Sequence, residues 1–388
     1  MLFSKKDKFE SKGFKYLEKK AEAKEIADPL AVILDFLKKK TFLTEFQDYD
    51  DPLKVTWKYG QLGEKMKEDL LKSWENSTSK KLSNIRHIAQ ITPRLGTEYL
   101  IEIFAEDNIQ APFGISRVIE TPVEKFKNNK FVFHNHKGKK LFLQYATIPS
   151  TSKDMLSSWL EFTMEYIYKI GLKDEELEVE YEKLEDITDT EHYFFDRYVI
   201  KNIFHFGAEP IAWVSNKIDF EFENYDKKFP DDKKQRCFVH DDLREYDGFP
   251  HVIEIQIDVE KLILAALLNN FSQQRVRTSI ITTLKLSPQI SPVKCVVFPL
   301  SVVDQRTRIA TERIKNDLNK HFKTLTDDKG TLDMRIEKYN EIGVPFYIEV
   351  DPDLVDNNLF TLHDNKFGTK SELDIHDITS YINSKINE

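Results

Sequence analysis

Residues 248–271 read GFPHVIEIQIDVEKLILAALLNNF. Ile253, Ile255 and Ile257 alternate with Glu254, Gln256 and Asp258, a period of two that gives a strand one apolar and one polar face. At Val259 the period changes. Val259, Leu262, Ile263, Ala266, Leu267 and Phe271 recur at three- and four-residue spacing. Leu264, Ala265 and Leu268 fill most of the remaining positions, which predicts a helix buried on most sides. A strand presenting two carboxylates and an amide therefore runs directly into a buried helix.

This unit resembles the third signature motif of class II aminoacyl-tRNA synthetases, and most closely that of the glycine enzyme. Pro250, His251, Val252, Ile253 and Glu254 match its strand, and Val259, Glu260 and Leu262 its helix start. Asp258 stands at the family's glycine. Lys261 stands at the arginine that grips ATP in that family. A guanidinium offers a planar fork to phosphate and stacks on a ring, whereas an ammonium is a point charge. The resemblance implies that Glu254, Gln256, Asp258 and Lys261 line a vestigial synthetase site.

Working outward, Trp57 to Trp74 places Tyr59, Gly60, Leu62 and Gly63 in a turn, with Met66, Leu70 and Trp74 on one side of the helix that follows. It is similar to the family's Tyr-Gly-Pro-Leu-Gly segment, with Gln61 for the proline. Before it, Leu30, Ile33, Leu34 and Leu37 predict a helix over 29–42, closed by Lys38, Lys39 and Lys40. Ala111 to Phe126 resembles the Pro-Phe-Gly-Ile strand that enters the second class II motif. There Val123 stands at the arginine position, and Pro122 removes a backbone donor beside it. One helix-like run is expected around Thr97 to Phe104.

Phe131 to His134 and Leu141 to Ala146 read as a hairpin whose tip carries Lys137, Lys139 and Lys140 around Gly138. The tip is either a solvated turn or a phosphate contact. His134 and His136 lack a third ligand, so no metal site is expected. Pro149 to Leu172 predicts a helix with Leu156, Trp159, Leu160, Thr163, Met164, Ile167 and Ile170 inward and Gly171 as its stop. This text resembles the Thr-Ser-x-x-Trp-Leu-x-Phe-Trp helix of the accessory subunits of mitochondrial DNA polymerases, themselves glycine-enzyme-like. Glu175 to Glu191 reads as a solvated, charge-rich connection. Ile203 to Asp219 continues the sheet, with Glu209, Trp213, Asn216 and Asp219 matching the glycine enzyme and Lys217 at an arginine.

Two prolines between Ser287 and Pro292 mark a break. Beyond it, Val293 to Leu300 and Val344 to Val350 read as strands and Thr307 to Phe322 as an amphipathic helix. Leu359 to Leu362 and a helix over 373–386 complete the unit. Tyr339 to Val350 is similar to the anticodon-binding domain of class IIa synthetases. The expected fold is mixed α/β. A lysine-rich extension (1–28) precedes a class II synthetase-like antiparallel-sheet domain (29–286), and an anticodon-binding-like α/β domain (287–388) follows.

With 388 residues, 40% of them apolar, the chain can bury more than one core. A net charge of -9 argues against a nucleic-acid binder that uses its whole surface, though not against a local basic patch. Cys237 and Cys295 show no metal or redox spacing and read as reduced thiols. No apolar run approaches the ~18 residues of a spanning helix, so a soluble chain with no membrane partner is expected. The lysine-rich start, interspersed with acids and lacking arginine, is a poor match to a transit peptide.

An adenylating site loses ~2.7–4 kcal/mol with each lost oxyanion contact. Val123 and Lys261 at two arginine positions therefore predict a chain that is not an enzyme and holds no cofactor. By resemblance, it would be an accessory processivity subunit in the mitochondrion. Its partners would be the mitochondrial DNA polymerase catalytic subunit and primer-template double-stranded DNA, with Lys137, Lys139 and Lys140 as DNA contacts. The short span between Ser77 and Gln110 leaves no room for a helical dimerisation insertion. The alternatives are a divergent glycine–tRNA ligase, using Lys261 and a further cation, and a structural paralogue in another mitochondrial assembly such as the ribosome.

Overall fold

The structure is a computed structural model that describes residues 29–47, 55–92, 98–107, 109–121, 138–184, 194–220, 222–223, 238–243, 245–276 and 279–387. Val123, Lys137, the His134 and His136 pair, the expected strand at Phe131 to His134, Cys237 and the 1–28 extension lie outside these residues.

In chain order the elements are α1 (Pro29–Lys39), β1 (Leu43–Gln47), β2 (Val55–Tyr59), α2 (Gln61–Lys81), β3 (Ile85–Thr92), α3 (Glu98–Asp107), β4 (Phe113–Thr121), β5 (Gly138–Thr147) and α4 (Ser152–Ile170). Next come β6 (Leu177–Lys183), β7 (Asp196–Phe204), β8 (Gly207–Asn216), β9 (Val239–Asp241), β10 (Tyr246–Gly248), β11 (His251–Asp258), α5 (Val259–Asn269), β12 (Phe271–Val276) and β13 (Ser279–Leu284). The remainder is β14 (Cys295–Pro299), α6 (Gln305–Leu318), β15 (Thr324–Thr326), α7 (Leu332–Asn340), β16 (Phe346–Val350), α8 (Pro352–Val355), β17 (Phe360–Asp364), β18 (Thr369–Leu373) and α9 (Ile375–Asn387). The change of period at Val259 is the observed junction between β11 and α5.

The larger packing unit comprises residues 44–269, 286–292 and 379–387. Its seven-stranded sheet runs β3-β4-β5-β11-β8-β7-β6, with β3 and β4 parallel and every other pair antiparallel. β11 is central because both of its edges pair: Ile255 faces Leu143 on β5 and Val214 on β8. The odd-numbered isoleucines share their face with Leu141, Leu143 and Tyr145, and α4 and α2 cover it. Trp159 of α4 meets Tyr145 at 5.3 Å. Trp74 of α2 meets Tyr166 at 5.1 Å and donates its indole N–H to Ser116 Oγ at 3.0 Å. Gly114 lies under the same aromatic ring. A Cβ there would stand 2.8 Å from Tyr145 Cδ2, which is why the position has no side chain. Gly171, at φ 111°, closes α4 in the left-handed conformation.

The opposite face is apolar only at one end. There Leu100, Ile101 and Phe104 of α3 pack with Phe113, Ile115, Ala146, Phe222 and Val252. Its centre is polar.

Two local readings are corrected, and Phe271, expected in the buried helix, instead opens β12. The charged run from Glu175 is not wholly a solvated connection, because Leu177, Val179 and Tyr181 alternate with Glu178, Glu180 and Glu182 and form the edge strand β6. Ion pairs across to β7, Lys201 to Glu180 at 2.5 Å and Arg197 to Glu182 at 2.6 Å, fasten it. The hairpin of β12 and β13 carries a polar exposed face and shows little apolar period. Finally, β5 begins at Gly138 as an interior strand, so Lys139 and Lys140 sit in the sheet, opposite Glu120 and Ile119.

The second packing unit comprises residues 29–43, 270–285 and 293–378. Its five strands run β15-β14-β16-β17-β18, parallel among the first three and antiparallel thereafter. Val293, Val296, Phe298, Tyr339, Val344 and Tyr347 form a core against α7. Helix starts are capped as their sequences dictate: Asp304 Oδ1 accepts from Arg306 N at 2.8 Å, and Thr331 Oγ1 from Met334 N at 3.3 Å. Gly343, at φ 74°, makes the turn from α7 toward β16. α1 belongs to this unit, with Phe36 against Phe271 at 5.2 Å and Lys40 paired with Glu341. Among the described residues no helix is long and apolar enough to cross a membrane.

Candidate functional site

The period of two in β11 turns Glu254, Gln256 and Asp258 away from the isoleucine face, onto the polar centre of the sheet. Register supplies their neighbours. Glu254 lies opposite Gln144 and Ser215, and Gln256 opposite Phe142 and Trp213; Phe142 in turn faces Arg117 on β4. Residues distant in sequence thus meet on one surface.

Glu254 is the hub. Its Oε1 accepts from Gln256 Nε2 at 2.8 Å and its Oε2 from Gln144 Nε2 at 3.2 Å. Lys217 Nζ stands 3.6 Å from Oε1. Glu254, at 3% exposed, Gln144, at 0%, and Lys217 are buried and Gln256 is half-buried, and a buried carboxylate is sustained by such donors and counter-charges. Arg117 is buried too. Its guanidinium lies 5.0 Å from the Phe142 ring centroid and 6.0 Å from that of Tyr99 on α3. Burial pulls its pKa down and the charge of Glu254 opposes that pull.

A second group of cations borders the network. Lys140 Nζ donates to Gln256 Oε1 at 3.3 Å and lies 5.1 Å from the Trp213 ring, and Lys261 Nζ lies 6.0 Å from the same ring. Asp258 caps α5, its Oδ1 accepting from Lys261 N at 2.9 Å. Burial pushes the Asp258 carboxyl up to about 6, with Glu260 adding to the rise and Lys261 and Lys140 opposing it. Glu260 is itself held by Lys67 Nζ at 2.8 Å and by the backbone N–H of Lys139 at 2.8 Å. Lys67 lies over the ring of half-buried Tyr59, at 4.7 Å. Burial, then Glu260 and Asp258, raise the Tyr59 hydroxyl well above the usual phenol range.

Arg117, Lys140, Lys217 and Lys261 outnumber Glu254 and Asp258 on this face. Together with two amides and an indole, they make a surface for an anionic ligand that carries a flat ring and an ammonium. No group of three His, Cys, Asp or Glu side chains able to hold a metal occurs among the described residues.

The structure brings together Glu254, Gln256, Asp258 and Lys261, as their shared motif implies. Lys140 joins them from β5, and Lys139 contributes a backbone donor to Glu260. Sequence reasoning did not place Arg117, Gln144, Trp213 and Lys217 at the site. Arg117 carries a signal, lying two residues beyond Ile115 on the same face of an alternating strand. The other three require the register of β5 and β8 against β11.

Residues 294–385 match the anticodon binding domain family. The chain is similar to the glycine–tRNA ligase of Caldanaerobacter subterraneus, 26% identical over 71% of this chain and 58% of that protein. It is also similar to the glycine–tRNA ligase of Borrelia garinii, 25% identical over 73% of this chain and 63% of that one. It therefore spans somewhat under two thirds of the length of these relatives. The fold is similar to that of a prolyl-tRNA synthetase from Cryptosporidium parvum, solved with L-proline and AMP, at a TM-score of 0.60 over 94% of this chain and 79% of that one, with 11% identity. The chain has a class II synthetase-like fold with an anticodon-binding domain, and it is close to glycine–tRNA ligases. These matches overturn the expectation of a non-catalytic polymerase accessory subunit, since the proteins sharing most of its length are ligases. The two replaced arginines had carried that expectation. The described face shows instead that Lys261 is accompanied by Lys140 and Arg117.

Proposed function

We propose that the chain is an aminoacyl-tRNA ligase of the glycine type, activating a small amino acid with ATP on the polar face of the seven-stranded sheet. One observation carries this reading: a buried carboxylate, Glu254, shares that face with Lys140 and Lys261, which flank Trp213. In this reading Glu254 accepts the amino acid's ammonium. Lys261 and Lys140 meet the negative charge of the triphosphate, and Trp213 offers a ring to the nucleotide. As the amino-acid carboxylate attacks the α-phosphorus and pyrophosphate leaves, charge grows on the phosphate oxygens, where positioned cations stabilise it most. The anticodon-binding domain would then engage the tRNA that receives the amino acid.

The test is glycine-dependent exchange of labelled pyrophosphate into ATP, followed by charging of glycine tRNA. Exchange is expected with the full chain. Lys261→Ala should reduce kcat/KM by about a hundredfold, as loss of one such stabilising donor does. A folded preparation with no exchange at saturating glycine and ATP overturns the reading.

A further inference from the structure

Lys217 approaches the buried carboxylate with the same chemical group a free amino acid would bring. Three side chains stand within 4 Å of the Glu254 carboxylate among the described residues, Gln256 at 2.8 Å, Gln144 at 3.2 Å and Lys217 at 3.6 Å, with the charge of Arg117 acting on it as well. The amides are within hydrogen-bond length, while the ammonium stands outside it as an ion-pair partner. It is the loosest of these three contacts and the only one of them that carries charge. Its main chain is fixed, with Lys217 N donating to Val252 O at 2.8 Å beside the β8–β11 pair. Its side chain is about one-tenth exposed and that of Glu254 less still. An incoming ammonium therefore has to compete with the chain's own.

We propose that Lys217 is a specificity-determining residue that holds the ammonium subsite on Glu254, so that an amine-bearing ligand binds there only by displacing the lysine ammonium. The subsite is bounded by the Gln144 and Gln256 amides, which donate to Glu254 at 3.2 and 2.8 Å. Moving Lys217 aside accommodates an unbranched ammonium, and the occupied state has no uncompensated carboxylate. Free chain and liganded chain thus keep Glu254 paired throughout, and the lysine sets the threshold concentration of amine. The inference rests on the amino-acid-activating reading only where it concerns glycine; the ammonium subsite itself stands apart from it.

The experiment uses the full chain as wild type, Lys217→Ala and Lys217→Ser, each also combined with Glu254→Gln. Thermal unfolding is followed with methylammonium chloride against sodium chloride at equal ionic strength, and the glycine KM is followed by pyrophosphate exchange. Truncation at 217 should make methylammonium raise Tm, an effect absent in wild type and lost with Glu254→Gln. It should also lower the glycine KM on the order of tenfold while leaving the ATP KM unchanged. If Lys217→Ala does not fold without amine, its recovery when methylammonium is present during purification is the same result. Absent exchange in wild type, together with amine-stabilised Lys217→Ser, removes the ligase reading and keeps the subsite. Active exchange with an unchanged glycine KM, and no methylammonium effect in either variant, overturns the inference.

Discussion

Asp258 does two things with one carboxylate: it caps the buried helix α5 and it adds negative charge to a face otherwise rich in cations. Its carboxyl ordinarily titrates at 3.8 and is pushed up to about 6 by burial. Between those values the folded chain holds a proton that the unfolded chain has released. Stability conferred by the protonated form is therefore lost as pH rises from about 4 to about 6, and the deficit is complete above that window. At ~1.4 kcal/mol for each pH unit of separation, the deficit is about 2–3 kcal/mol. Asn caps a helix as well as Asp and carries no charge. Asp258→Asn is accordingly expected to be more stable than wild type at pH 7 and nearly equal to it at pH 4. Tm measured across that range checks this, and a gap that does not change with pH would refute it. The residue's place on the polar face was legible from alternation with the isoleucines, but its burial was not. Burial comes from neighbours whose positions the pairing of strands decides.

Among the elements, β6 carries its charge as a safeguard. It is the outer strand of the seven-stranded sheet, with Val179 and Tyr181 exposed, and an exposed edge with apolar side chains invites pairing with another chain. Glu178, Glu180 and Glu182 oppose that. Surface pairs such as those to Lys201 and Arg197 are each worth less than about 1 kcal/mol. Replacing the three glutamates with threonine should therefore shift the denaturation midpoint little and markedly increase concentration-dependent self-association in light scattering. Unchanged scattering would show that the edge is protected otherwise. The same strand shows where pattern reading fails. Its three acids and lysine outweigh the apolar alternation, and the partner that fastens it, β7, lies across an intervening segment. β11 and α5 were legible because both halves of that unit are strongly periodic and one follows the other without a loop. The β12–β13 hairpin, whose pairing buries little, offered no such signal.

At the scale of the whole molecule, packing does not follow the order of the chain. α1, near the beginning, shares a unit with β12, β13 and the five-stranded sheet, through Phe36 on Phe271 and Lys40 with Glu341. Phe36→Ala should remove ~3–5 kcal/mol of packing from that unit. Hydrogen exchange is then expected to quicken in β12, β13 and α7 while β5, β8 and β11 keep their protection. Equal loosening of both sets would mean that the units do not open separately. A reading that moves along the chain recognises each element and its neighbours but assigns distant segments to whichever domain is adjacent. The first helix of the sheet unit, α2, likewise reaches far ahead, with Lys80 Nζ donating to Asn387 O at 2.6 Å. On the ribosome this sets a schedule. The helix at residues 29–39 waits for Phe271 and then Glu341, and the sheet unit waits for residues 379–387. Neither unit closes until its distant segments have been made, and until then the apolar side of α1 is in the care of whatever the cell provides.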